Sequence, residues 1–473
     1  MAGDGSPVEK LRNLLRDLKP EARAQLMAEL ERGMLRGQEM PGAELVIREL
    51  REGLRAANRK TETDRVGNPA RLFFAPIEPF VIDEAVDQHY QARIPRAHLE
   101  PIWAWIGRDL MKAETDAYVN DVSPLLASGD TAKAEQAAKT FQDLVVRRFQ
   151  ETMTKISGDD KARRRFAAQV GTPRGLDDAA EVIAILRMRD ALAAVAARLP
   201  ARIANLSDDQ LDAVKALIDQ AAGRQQQFFG YALVLVMSRL VAPWQLIRLA
   251  TKAVESDLAS RIAGSPYAAA VTIVLGEVDR FIRQLKSDLK RGQMAEIALL
   301  LKDIHDAARG LRTEINLALD SPWARQLAAA RAEIADVLKS NIESMPARVR
   351  RLLRPRPTKE IAAGSVLNAD EVAETEALIE FVGTCRNYAG ELAINEMTMR
   401  TYTELQNYLE SHGNSLVDAL RGAGASDRSF RQSQMDAAVR FCGKVFGADY
   451  AATLAKAAGV AAQSDRKAAA AKA

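Results

Sequence analysis

The sequence predicts an all-α, multi-helical protein, and three observations carry that expectation. Ala, Leu, Arg and Glu are prominent while aromatic residues make up only 5% of the 473 residues, a composition that favours helix over sheet. Apolar residues recur at three- and four-residue spacing along most of the chain, the period of a helix with one buried face. Alternating, β-branched runs bounded by turn residues are nearly absent. Hydrophobic residues at 48% and charged residues at 27% are ordinary globular values, which set aside a wholly disordered, collagen-like or multi-span membrane chain. Lys and Arg total 66 against 63 Asp and Glu, so nucleic acid is not expected as the main partner.

The elements follow in order. Ser6-Pro7-Val8-Glu9 combines a capping box with proline at the first helical position, and Val8, Leu11, Leu14, Leu15 and Leu18 then share one face. Pro20 opens a second helix with Leu26, Met27, Leu30 and Met34, and Pro41 a third with Val46, Ile47, Leu50 and Leu54. Residues 1–60 are therefore expected to form a small three-helix unit. The start of the chain has no apolar core of the kind a secretory signal needs, and Cys385 and Cys442 are too few for a disulfide framework. The expected location is cytoplasmic, with the inner face of the membrane as an alternative.

Between residues 61 and 96 the helical period lapses. Asn68-Pro69, Pro76, Pro79 and Pro95 interrupt a strongly apolar run that includes Leu72, Phe73, Phe74, Ile77 and Phe80. A proline-punctuated run cannot hydrogen-bond as a regular helix, so its side chains need shelter. Two readings follow: a strap across the protein's own helices, or a strip of Phe73, Phe74, Ile77 and Phe80 that docks a partner.

Helical period then returns, with candidate helices over 98–126, 131–157, 159–170, 176–199, 207–255, 266–290, 293–319 and 322–343. Residues 97–345 are expected to form a central bundle of long antiparallel helices, since short turns between long helices force antiparallel neighbours. Two uncharged stretches, Gln225 to Ser238 and Ile262 to Gly276, read as its innermost helices; a membrane-inserting hairpin is the alternative. Neither reaches the roughly 20 apolar residues of a membrane span without Arg239 or the Gly264-Ser265-Pro266 break.

Met345 to Lys359 holds six basic residues, three prolines and no acid, and residues 346–360 are expected to be a basic linker. Its Arg348, Arg350, Arg351, Arg354 and Arg356 are candidates for contact with an anionic or membrane surface. A C-terminal helical region over 361–460 and a disordered tail over 461–473 complete the chain.

Standard catalytic motifs are absent: no phosphate-binding glycine loop, no H-E-x-x-H and no G-x-S-x-G occurs. The densest histidine-bearing acidic stretch, Asp83, Glu84, Asp87 and His89 with His98 and Glu100, reads as a polar connector, and no metal or cofactor is expected. His305 and His412 read as structural, as do Trp103, Trp105, Trp244 and Trp323. Glu391, Glu396 and Glu404 lack the Glu-x-x-His partners of a bundle carboxylate site. The expected function is that of a non-catalytic cytoplasmic scaffold that binds a protein partner. A peripheral membrane protein using residues 225–276 or the basic linker is the second reading, and an enzyme with a dispersed site the third.

Overall fold

The computed structural model describes residues 68–470 except 84–88, 157, 172–173, 224–225 and 292–293, together with Leu15, Ala22, Leu26, Leu30 and Val46. Nearly all of this chain is helical, as the sequence predicts, and it divides into two units, Met1–Leu199 and Pro200–Ala473. Apart from those five positions, the expected three-helix unit over 1–60 lies outside the described residues.

In the first unit, Asn68 caps α1 (Pro69–Phe73) by accepting the Arg71 N–H at 2.7 Å, with proline at the first turn. A 3-10 turn, Ala75–Phe80, leads to β1 (Val81–Ile82), which pairs in parallel with β2 (Ile94–Pro95). Five helices follow: α2 (Arg96–Trp105), α3 (Lys112–Ser128), α4 (Thr131–Lys155), α5 (Asp160–Val170) and α6 (Gly175–Arg198). The sequence predicts one helix over 98–126, but a π turn at Ile106–Leu110 and the extended backbone of Met111 divide it. Gly107 permits the tight packing of that turn, since a Cβ there would meet Thr115 Cγ2 at 3.3 Å.

The core of this unit is aromatic. Phe73 lies edge-on to Phe74 and Phe141 at 4.9 and 5.6 Å, Tyr118 stacks on Phe141 at 4.4 Å, and Trp105 meets Phe166 at 4.9 Å.

In the second unit, α7 (Asp208–Ala222) begins with a Ser207–Gln210 capping box. Then come α8 (Gln226–Arg239), α9 (Leu246–Val254), α10 (Ala259–Ala263), α11 (Ala268–Arg291), α12 (Met294–Glu314) and α13 (Pro322–Leu353). The last four are α14 (Ala369–Tyr388), α15 (Asn395–Arg421), α16 (Arg428–Phe446) and α17 (Ala448–Ala470). Helix α11 packs on α12 and α13, α12 on α14, α13 on α14 and α15, and α16 on α14, α15 and α17. Gly447, at φ 93°, is the single-residue joint between α16 and α17, a conformation that glycine adopts without penalty.

Both uncharged stretches are interior here: Phe228 and Ala232 to Met237 are buried, as are Tyr267, Ala270, Val271, Ile273, Val274 and Leu275. No helix among the described residues is long and apolar enough to cross a membrane.

Three expected boundaries are corrected. The helix expected over 207–255 is broken at Gly223 and Pro243, the residues that favour its interruption. The linker expected over 346–360 is helical in its first half, because α13 continues through Pro346 to Leu353 and only residues from Arg354 onward leave the helix. Burial of Met345, Pro346, Val349, Leu352 and Leu353 offsets the backbone bond that proline cannot make. By contacts the chain divides at Leu199-Pro200, and within the second unit the C-terminal helices pack on α11–α13. Finally, the expected disordered tail is helical to Ala470. Alanine is the strongest helix former, and Leu454, Ala458 and Ala461 give α17 a buried face.

Candidate functional site

The strap at residues 72–82 leaves no docking strip. Phe73, Phe74, Ile77 and Phe80 are 0, 6, 0 and 1% exposed, so the partner-binding expectation for them is corrected to core. Their insertion needs the proline-interrupted backbone to find donors elsewhere. Gln142, itself buried, donates to the Phe73 carbonyl at 2.8 Å, and the Tyr118 hydroxyl donates to the Pro69 carbonyl at 2.9 Å.

The basic segment is held against the C-terminal helices. Arg348 faces Glu374 at 3.7 Å, Arg350 pairs with Glu404 and lies over the Tyr408 ring, and Arg351 donates to Glu371 at 3.2 Å. Arg356 lies over the Phe430 ring at 5.0 Å. Arg354 is exposed and makes no ion pair among the described residues. The basic segment is thus exposed and, at Arg348, Arg350 and Arg351, paired with acids on α14 and α15.

A frame of buried polar groups fixes the end of α13. Gln434 on α16 donates to the carbonyls of Leu352 at 2.9 Å and Arg354 at 3.1 Å. Arg431 donates to the Arg356 carbonyl and pairs with buried Asp427, which accepts the Thr358 hydroxyl at 3.0 Å. These bonds satisfy carbonyls near Pro355 and Pro357, whose nitrogens donate nothing.

Above this frame lies a cleft of about 350 Å³ lined by Arg351, Arg356, Val366, Asn368, Glu371 and Phe430, with Leu352 and Leu367. Val366 is 62% exposed, a large apolar group beside two guanidinium groups. Asn368 caps α14 by accepting the Asp370 and Glu371 N–H groups, so that helix end is already occupied. The cleft sets exposed Val366 beside the guanidinium groups of Arg351, which donates to Glu371, and Arg356, cations of the kind that take a carboxylate.

The histidine-bearing stretch of the first unit resolves into two pairs. His98 Nδ1 lies 2.5 Å from Asp178 Oδ2, and His89 Nε2 lies 2.8 Å from Glu181 Oε1. Both carboxylates stand on α6, one turn apart. Asp178 is 1% exposed, its Oδ1 has no hydrogen-bond partner among the described residues, and burial raises its pKa above the usual carboxylate range. The hydrogen bond to Glu181 raises His89 above the ordinary histidine value. Arg96 from the same stretch holds Asp83 at 2.6 Å and Glu78 at 2.8 Å, and Glu100 is exposed. Glu84 and Asp87 lie outside the described residues.

The remaining candidates do not converge. Glu391 pairs with Arg312 and Glu404 with Arg350, while Glu396 is exposed. His305 sits by Asp306 and the Tyr388 ring, and His412 stacks on Tyr408. Cys385 and Cys442 are buried free thiols pushed up to about 12 by that burial, far from the range of a reactive thiolate. Among the described residues no three His, Cys, Asp or Glu side chains converge as a metal site.

The sequence reading missed Val366, Glu371 and Phe430 of the cleft and the acidic partners Asp178 and Glu181. Asp177-Asp178 in the first turn of a helix was the only local signal. No family model matches the chain, and no curated protein or solved structure matches it either.

Proposed function

We propose that the chain is a non-catalytic, cytoplasmic α-helical interaction protein, and that its cleft at residues 351–371 binds a protein segment carrying a carboxylate beside an apolar side chain. The observation that carries this reading is the junction of exposed Val366 with Arg351 and Arg356 over a rigid, hydrogen-bonded frame. Charge complementarity selects an acidic segment: Arg354 and Lys359 border the same end of α13, and neither has an ion pair among the described residues. The incoming carboxylate replaces Glu371 on Arg351. What supports the cytoplasmic assignment is the pair of unlinked, buried cysteines.

Fluorescence anisotropy with an acidic heptapeptide carrying one central leucine tests it, against the same peptide with lysines for the acids. The acidic peptide is expected to bind, more weakly as salt rises. Glu371→Gln is expected to tighten binding roughly three- to tenfold by freeing Arg351, while Val366→Asp abolishes it. Equal binding of the two peptides, or indifference to both substitutions, contradicts the proposal.

A further inference from the structure

The first unit carries a charged face that the cleft in the second unit does not involve. We propose that α5 presents a cationic face to an anionic membrane surface and so seats the chain on a leaflet rich in acidic phospholipid.

Charge sets this helix apart. From Lys161 to Val170 it holds four cations, Lys161, Arg163, Arg164 and Arg165, and no acid, whereas the whole chain carries a net charge of only +3. All four are exposed, and none makes an ion pair among the described residues. At about 3.6 residues per turn, Lys161, Arg164, Arg165 and Ala168 share one face, opposite buried Phe166 and Val170, with Arg163 on the flank. Phe166 meets Trp105 at 4.9 Å and Phe149 at 6.0 Å, which fixes the direction in which the basic face points. Arg108, from the π turn, donates to the Gln169 carbonyl at 2.8 Å and adds a fifth cation at the far end, paired with Asp109.

Folding does not call for this arrangement. Arg164 and Arg165 lie three and four residues beyond Lys161, spacings at which like charges destabilise a helix. All four cations stand in the first two turns, near the positive end of the helix dipole, where cations are unfavourable. Two acids stand at that end. Asp159 accepts the Lys161 and Ala162 N–H groups, both at 2.9 Å, and Asp160 makes no ion pair among the described residues.

The absence of other recognition groups on the face selects the partner. Protein interfaces draw their affinity from buried apolar and aromatic anchors, yet besides the cations the exposed residues of α5 are Asp160, Ala168 and Gln169. Single-stranded nucleic acid stacks its bases on aromatic rings, and Phe166 is buried. Duplex binding draws on many phosphate contacts over a broad basic surface, and two turns of helix are a small footprint. A planar anionic leaflet demands neither shape nor anchors. Its potential acts within about 10 Å, and each nearby Lys or Arg raises the partition about fivefold.

Co-sedimentation of the full chain with vesicles tests the proposal, comparing phosphatidylcholine alone with phosphatidylcholine containing about 30% phosphatidylserine at about 0.1 M salt. The anionic vesicles are expected to retain the chain, the neutral ones to leave it in solution, and about 0.5 M salt to release it. Arg163→Gln/Arg164→Gln/Arg165→Gln is expected to weaken retention about a hundredfold. Arg309→Gln/Arg325→Gln/Lys339→Gln, the same loss of charge at exposed positions of α12 and α13, is expected to leave it within about twofold. Equal retention on the two vesicles, an equal loss in both variants, or retention by a DNA duplex without retention by the anionic vesicles overturns the proposal. The α5 variant is also expected to melt no lower than the wild type, since like charges have been removed. A lower melt would assign the arginines to the fold and overturn the proposal as well.

Discussion

Residues 69–82 and 346–361 are both proline-interrupted stretches that leave carbonyl groups without helical partners, yet one is sealed in a core and the other stays at the surface. Their backbones are satisfied the same way, by a buried glutamine from another helix: Gln142 to Phe73 in the first, Gln434 to Leu352 and Arg354 in the second. The difference lies in the side chains between the prolines. Phe73 and Phe74 pack their rings on Trp103, Phe73 also meets Phe141, and Ile77 and Phe80 are buried as well, while Arg351, Arg354 and Arg356 must keep their charges solvated or paired. Proline sets where a helix can run; the apolar or charged neighbours decide whether the interrupted stretch becomes core or charged surface.

The strongest way to break this comparison is Phe73→Ala, expected to destabilise the first unit by about 3–5 kcal/mol through loss of buried area and the cavity it leaves. Chemical denaturation followed by aromatic fluorescence measures it. Next come Gln142→Leu and Gln434→Leu, each expected to cost about 1–3 kcal/mol by stranding buried carbonyls. Similar losses in the same assay would support a common backbone role, whereas a neutral Gln434→Leu would separate the two stretches.

His89→Gln is expected to cost less than about 0.5 kcal/mol, because the ring is nearly half exposed and its ion pair is screened by solvent. Its mark is a pH slope. The Glu181 hydrogen bond raises the folded pKa, so the contribution is fully present below the unfolded value near 6.5 and is lost as the pH rises through the folded one. Buried Asp178, also raised, adds the same sign at lower pH. Thermal melts across that range should therefore show a flatter profile in the variant. Smallest of all, Val366→Asp is expected to move stability by no more than about 0.5 kcal/mol, since the side chain is 62% exposed, while removing peptide binding.

Much of the helical framework was legible in the sequence, because one-faced apolar periodicity is a local property. The stripe through Val271, Val274, Val278, Ile282 and Leu285 and the one through Ile297, Leu300, Leu301, Ile304 and Leu311 are both buried. Helix α13 outran its predicted end because the local penalty of Pro346 is offset by distant packing. The cleft was only half visible: its arginines formed a run, but Val366, Glu371 and Phe430 reach them through tertiary packing. The histidine–carboxylate pairs, separated by 80 and 92 residues, left no local trace beyond the Asp177-Asp178 start of α6.

The central claim, that the surface stretch recognises and the sealed one supports, is tested most directly by an amide-exchange footprint of the full chain with and without the acidic, leucine-bearing peptide. Protection is expected at residues 351–371 and around Phe430, with residues 72–82 unchanged. Protection confined to 72–82, or none at the cleft when the peptide is bound, would contradict the account.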